Sequence, residues 1–208
     1  MMSRRLTVLL VDDHAVVREG YRRLLEDSGR ITVVGEAADA AHAHQQVSGL
    51  APDVIVMDIG LPGVSGIEGM RRILAHRPDA RVLIFSMYED AIFVRRALDA
   101  GAAGYLTKAS APRLLVEAVD TVASGQRYLS PDIAHALALH PQQSLSGREF
   151  EVLKLLVQGS SVGEIAQQLG VHPKTVANHQ SAIKQKLGAG TAAQLYRIAM
   201  RLGLVPPA

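Results

Sequence analysis

From residue 6 to about residue 125 the chain alternates two hydrophobic rhythms: short runs of aliphatic and β-branched residues, then stretches in which apolar positions recur every three or four residues. The first rhythm predicts strands buried on both faces and the second predicts amphipathic helices. Their alternation predicts a parallel sheet with crossover helices. Strands are expected over residues 6–11, 31–36, 54–57, 82–86 and 104–107, and helices near 14–28, 39–48, 64–76, 90–100 and 112–124. Five strands and five helices in strict order make a doubly wound α/β unit, (βα)5, and the first domain is read as residues 1–127.

Residues 128–143, YLSPDIAHALALHPQQ, break this rhythm with Pro131, Pro141 and a polar end, and are read as a linker with room for a helical turn at 133–139. A purely helical pattern follows over residues 144–208. Ser146 with Glu149 three residues on is a capping-box arrangement, and the helix it opens ends at Gly159. Helices are then expected at about 162–169, 173–187 and 191–202. The two that flank the turn at Gly170 read as a helix-turn-helix.

Composition narrows what such a chain can do. No apolar run approaches the ~20 residues that a membrane helix needs, and aspartates cut the first apolar stretch short, so a soluble, cytoplasmic protein with no membrane partner is expected. The 208 residues include no cysteine, which excludes disulfides, thiolate nucleophiles and zinc–thiolate sites. The net charge of +2 is unevenly divided: residues 1–128 hold 15 basic and 16 acidic side chains, whereas residues 144–208 hold seven basic against three acidic. An anionic partner is therefore expected for the tail alone.

Carboxylates carry the candidate chemistry of the first domain. In VLLVDDHAVVREG (residues 8–20) and DVIVMDIGLPG (residues 53–63) an apolar strand stops at aspartate, and in a parallel sheet such strand ends converge on one crevice. Asp12, Asp13 and Asp58 should thus form one acidic pocket suited to a hard divalent metal. Ser86 and Lys108 end two further strands and add a hydroxyl and a point positive charge. Singly these residues read as a helix cap, a loop acid, a turn hydroxyl and a surface lysine. Together they are the set that carboxylate phosphorylation requires, with Asp58 as nucleophile at the centre of the sheet.

The first domain resembles a two-component receiver domain. Residues 3–126 carry the DD pair at Asp12 and Asp13, VMDIGLPGVSGIE around Asp58, the hydroxyl at Ser86, the lysine at Lys108 and an aromatic, Tyr105, at the usual switch position. The resemblance implies Mg²⁺ held by Asp13, Asp58 and the Gly60 carbonyl with Asp12 assisting, and phosphorylation of Asp58 by a sensor histidine kinase. It also implies that phosphate draws Ser86 inward and lets Tyr105 rotate into the vacated space. Such a domain catalyses only the phosphorylation and dephosphorylation of its own aspartate and is not a turnover enzyme. Leu61 and Ala109 depart from the commoner methionine and proline.

In the tail, PKTVANHQSAIKQKL (residues 173–187) is the candidate recognition helix. Val176, Ile183 and Leu187 should face inward, leaving Lys174, Thr175, Ala177, Asn178, Ser181, Lys184 and Gln185 outward. Lysines there suit phosphates, and the Asn178 amide suits adenine. Two histidines, His172 and His179, lie seven apart and make only a weak metal pair. With LSGREFEVL, EIA, KTVANH, KLG and GLV, residues 144–205 closely resemble a LuxR-type domain, and the whole chain resembles NarL/FixJ-type response regulators. Ala177, Ser181 and Val162 depart from commoner choices, so the DNA sequence does not carry over.

Over both domains the resemblance implies a phosphorylation-switched transcription regulator, with double-stranded DNA bearing an inverted repeat as target and RNA polymerase as a partner it allows. A homodimer on activation is expected, with Leu195, Ile198, Ala199 and Leu202 as an apolar stripe for its interface; for Ile198 and Leu202, packing within the domain is an equal alternative. Two rivals remain: a regulator indifferent to phosphate, and a Mg²⁺-dependent phosphohydrolase using an aspartyl phosphate. Gly60 stands where the second rival needs an acid.

Overall fold

Val8, Leu9, Leu10 and Val11 are each at most 2% exposed, as a strand covered on both faces must be. They lie in β1 (Leu6–Val11), flanked by β2 (Ile31–Ala37) and β3 (Val54–Met57), with β4 (Val82–Ser86) and β5 (Gly104–Thr107) beyond. The computed structural model describes residues 4–110, 112–139, 145–201 and 204. Helices α1 (Ala15–Asp27), α2 (Ala40–Leu50), α3 (Gly66–His76), α4 (Ala91–Asp99) and α5 (Arg113–Ala123) alternate with the strands, so the expected (βα)5 order is observed.

Every strand pair is parallel and the order is β2-β1-β3-β4-β5-β6. Connections reverse direction between β1 and β3, and the carboxyl ends of those two strands carry Asp12 and Asp58. Gly66 lets α3 begin hard against β3, because a Cβ there would collide with the Asp58 carbonyl oxygen.

The sixth strand corrects the expected linker at 128–143. Tyr128–Leu129 form β6 beside β5, with Tyr128 N donating to Ala103 O (3.3 Å) and Ser130 N to Tyr105 O (3.1 Å). Helix α6 (Pro131–Leu139) follows and packs against α4 and β5. The cause is twofold: the open edge of β5 needs backbone partners, and Ile133 is wholly buried. Residues 140–143 of the expected linker lie outside the described residues. The chain divides into two units, Met1–His140 and Pro141–Ala208.

In the second unit α7 (Gly147–Val157), α8 (Val162–Leu169), α9 (Pro173–Lys186) and α10 (Ala192–Arg201) enclose Val152, Leu153, Ile165, Val176 and Ile183. Ser146 and Glu149 close the expected capping box, and Ser161 and Glu164 close a second one on α8. Gly170 ends α8 in the left-handed conformation at φ 64°, which opens the tight turn into α9. The apolar stripe proposed for a dimer needs correction. Leu195 and Ala199 are buried within their own unit, where α10 packs on α7, so they are not available to a partner. Ile198 is half-buried, and Leu202 lies outside the described residues.

Glu149 ties the unit together. Buried to 6% exposure, it accepts from the Ser146 backbone (2.7 Å) and from Lys186 Nζ (2.8 Å), linking the start of α7 to the end of α9. Burial alone would raise its carboxyl, but Lys186 and Ser146 outweigh this and hold it below the ordinary carboxylate range. Because the folded group is depressed, its contribution is complete above the unfolded value of about 4.3 and disappears as pH falls through the folded value. Glu149→Gln should cost the second unit about 1–3 kcal/mol at neutral pH and flatten its acid-side loss, which urea unfolding at stepped pH would measure.

Candidate functional site

The carboxyl ends of β1, β3 and β5 meet at one ammonium group. Lys108 Nζ lies 2.5 Å from Asp12 Oδ2 and 2.5 Å from Asp58 Oδ2. Asp12 is 5% exposed and Asp58 8%, so two carboxylates that would repel each other are held in a site largely closed to water. Burial alone would lower the lysine; the Asp58 and Asp12 charges overcome it and hold the ammonium above its ordinary value. One positive charge against two buried negatives leaves the pocket net anionic.

The helix-cap reading does not hold, since His14 is the N-cap of α1 and no side chain caps it; the pocket is the place of Asp12. Its Oδ1 accepts from His14 N (2.8 Å) just ahead of α1, while Oδ2 faces Lys108. Asp13 is more exposed and pairs with His14 Nδ1 at 2.7 Å. Asp12, Asp13 and His14 form the one His/Asp/Glu group among the described residues compact enough for a metal ion, so the expected trio with Asp58 is brought together only in part. The Gly60 amide donates to Asp58 Oδ1 (3.3 Å).

Ser86 ends β4 opposite Thr107, fully buried, and its hydroxyl has no hydrogen-bond partner. Tyr105 differs from what its resemblance implies. It is already inside the protein, fully buried, with its hydroxyl donating to the Tyr88 carbonyl (2.6 Å). A buried phenol must find an acceptor, and that carbonyl supplies one. Burial, reinforced by the Asp58 charge, pushes the phenol well above its ordinary value.

Three contributors escaped the sequence. His14 gave only its spacing from Asp12 as a signal. Tyr88, whose ring stacks on Phe93 with centroids 4.8 Å apart, places its hydroxyl within 4 Å of where a Gly60 Cβ would stand, beside Asp58. Thr107 accepts from the Ala109 amide (3.0 Å) and reaches Glu89 (3.3 Å), bracing the loop behind Lys108.

On α9, Val176 and Ile183 are buried as expected and Leu187 is half-buried. Lys174, Thr175, Ala177, Asn178, Ser181 and Gln185 are exposed, and Lys184 is half-exposed. The Ser181 hydroxyl donates to its own helix at Ala177 O (3.1 Å). His172 caps the helix, its Nδ1 accepting from Lys174 N (3.2 Å), which gives that histidine a structural role in place of the metal pair with His179.

Residues 8–120 match the response regulator receiver domain, and residues 143–199 match the luxR family of bacterial regulatory proteins. The chain belongs to the NarL/FixJ-type response regulators. Among relatives of this type, the response regulator UvrY of Escherichia coli (strain K12) is 38% identical over 208 residues, covering 96% of this chain and 95% of that protein. GacA of Pseudomonas aeruginosa is 38% identical over 212 residues, covering 98% and 99%. A solved structure of RcsB from Salmonella enterica serovar Typhimurium, bound to a promoter in the presence of phosphomimetic BeF3⁻, superposes with a TM-score of 0.73 at 27% identity, covering 97% and 99%. This response regulator is a DNA-binding transcription regulator of the two-component type.

Removing the shared ammonium should expose how much of the fold leans on it. Lys108→Ala leaves two buried carboxylates facing each other and should destabilise the first unit by about 3–5 kcal/mol in urea titration. Replacing Asp12 by Asn in the same protein should recover part of that loss, since the repulsion then goes with it.

Proposed function

We propose that Asp58 is the phospho-acceptor of this regulator, that a sensor histidine kinase is the donor, and that the modification controls binding of the tail to DNA. The observation that carries this reading is the Lys108 ammonium held 2.5 Å from Asp58 Oδ2 while the Ser86 hydroxyl, at the next strand end, stays buried without a partner. Attack by an Asp58 oxygen forms the new P–O bond as the bond from phosphorus to the donor imidazole nitrogen breaks, and the imidazole leaves with a proton. Lys108 then neutralises a phosphoryl oxygen and Ser86 donates to another.

A divalent metal fits the residues present. The donors are hard oxygens, and a single lysine leaves Asp12 and Asp58 under-neutralised. Asp13, Asp58 and the Gly60 carbonyl would hold Mg²⁺, with Asp12 assisting; when bound, the ion supplies charge neutralisation for the phosphoryl oxygens. No turnover chemistry is assigned, because the aspartate that accepts phosphate is the protein's own.

For the tail, the exposed face of α9 supports double-stranded DNA as ligand, with Lys174, Thr175 and Lys184 toward phosphates and Ala177, Asn178 and Ser181 toward base edges. An inverted repeat read by a homodimer is the arrangement that turns two weak contacts into one strong one. With Leu195 and Ala199 inside the unit, an α10 interface would run through Tyr196, 39% exposed, and Ile198. Among the described residues no helix is long and apolar enough to cross a membrane, which suits a cytoplasmic regulator working with RNA polymerase.

Acetyl phosphate with Mg²⁺ should label the wild type and leave Asp58→Asn unlabelled, because an amide does not attack; equal incorporation in both would overturn the assignment. Removing Lys174 or Lys184 should weaken binding to every sequence and lower the salt slope by about one unit per lost contact. Asn178→Ala should instead relax preference at one base position at a cost of roughly 1–3 kcal/mol, which selection of bound sites from random DNA would reveal.

A further inference from the structure

The segment after α5 is fastened to three elements around the Asp58 pocket: β5, the loop after Lys108, and α4. Through β6 it bonds to the backbone of Tyr105 by way of Ser130 N. At the first turn of α6, Asp132 Oδ1 accepts from Ser110 Oγ (3.2 Å), two residues beyond Lys108. At its last turn the Leu137 carbonyl accepts from Arg95 Nη2 (3.1 Å) on α4, the helix that follows Ser86 and its loop. Past Leu139 the chain continues toward the DNA-binding unit.

The hold is light. β6 is two residues long, and within α6 Ile133 is the single fully buried side chain. Ser130 is fully buried where β6 meets α6, with a hydroxyl that has no hydrogen-bond partner, so the docked arrangement retains an unsatisfied group that undocking would hydrate. Tyr128 in the core and Ile133 are the segment's two buried anchors, and a short element with so few anchors and one built-in penalty belongs to the low-stability end from which switch elements are drawn.

We infer that β6–α6 is the output strap of the first unit: docked while Lys108 bridges Asp12 and Asp58, and loosened when a phosphoryl group on Asp58 takes over the lysine and Ser86. This rests on the reading of Asp58 as phospho-acceptor. Drawing Lys108 toward a phosphoryl oxygen pulls on the Ser110 end, and drawing in Ser86 pulls on the α4 end. The two ties then no longer fit one helix position, and α6 gives way because it is the weakest of the joined elements.

Hydrogen exchange of the full chain with Mg²⁺, with and without beryllofluoride as the phosphoryl mimic, tests this alongside DNA titration of the same samples. Amide protection at Ser130 and through residues 132–139 should fall about tenfold on adding the mimic. Asp132→Ala, which cuts one exposed tie, should raise paired-site affinity of the unmodified protein about fivefold, the lower end of usual coupling between sites, with phosphate uptake at Asp58 preserved. Ile133→Ala should do the same through the buried anchor. Protection that is unchanged or raised while DNA affinity responds to the mimic overturns the strap and leaves the phosphorylation switch standing. If DNA affinity itself ignores the mimic, the switch fails and the strap falls with it.

Discussion

One ammonium bridging two carboxylates governs the architecture of the first unit. Asp12 and Asp58 sit at the ends of adjacent parallel strands, and their mutual repulsion in a site closed to water would push those ends apart. Lys108 answers both at 2.5 Å and brings a third strand end, that of β5, to the same point. Its backbone is fixed in turn by Lys108 N donating to Ser86 O (2.9 Å), which draws in β4. Three strand termini are therefore joined by one charge and a fourth by the backbone of the same residue, so a change in what that charge binds bears on the ends of β1, β3 and β5 directly.

The second unit solves a similar problem with the opposite sign. There a single buried carboxylate, Glu149, gathers the Ser146 amide and the Lys186 ammonium, so the start of α7 and the end of the candidate recognition helix are joined by one group. The consequence for recognition is selective. Lys186 is paired with Glu149, whereas Lys174 and Lys184 stay toward solvent, so on the proposed reading of α9 the electrostatic contribution to DNA binding would fall mainly on those two lysines.

The strands and the site were legible because both depend on local chemistry. A strand covered on both faces is apolar throughout, and a reactive group at its end interrupts that run at a fixed place, so Asp12, Asp58, Ser86 and Lys108 could be read without coordinates. The features that resisted reading depend on distant partners. β6 has only Tyr128 and Leu129, too short for a periodic signal, and becomes a strand because β5 leaves an open edge. The stripe at Leu195 and Ala199 fixes a helix face but not what that face meets; α7 supplies the answer. Tyr88 and Thr107 matter through single contacts to Tyr105, Glu89 and the space beside Gly60, which no spacing rule encodes.

If Asp58 is the phospho-acceptor as proposed, the inward position of Tyr105 changes what the modification has to accomplish. The ring already occupies the interior and its hydroxyl already holds the Tyr88 carbonyl, so β5 and the loop after β4 are joined without phosphate. Ser86, in contrast, is buried with its hydroxyl unsatisfied, a condition that costs about 1–3 kcal/mol. On the proposed reading of Asp58, a phosphoryl oxygen would accept from that hydroxyl and a second would take the lysine. The modified state then gains a partner the resting state lacks, while the resting state loses the bridge between Asp12 and Asp58. A switch needs such differential contacts in its two states, and here they reside in Ser86 and Lys108, with the aromatic ring set in advance.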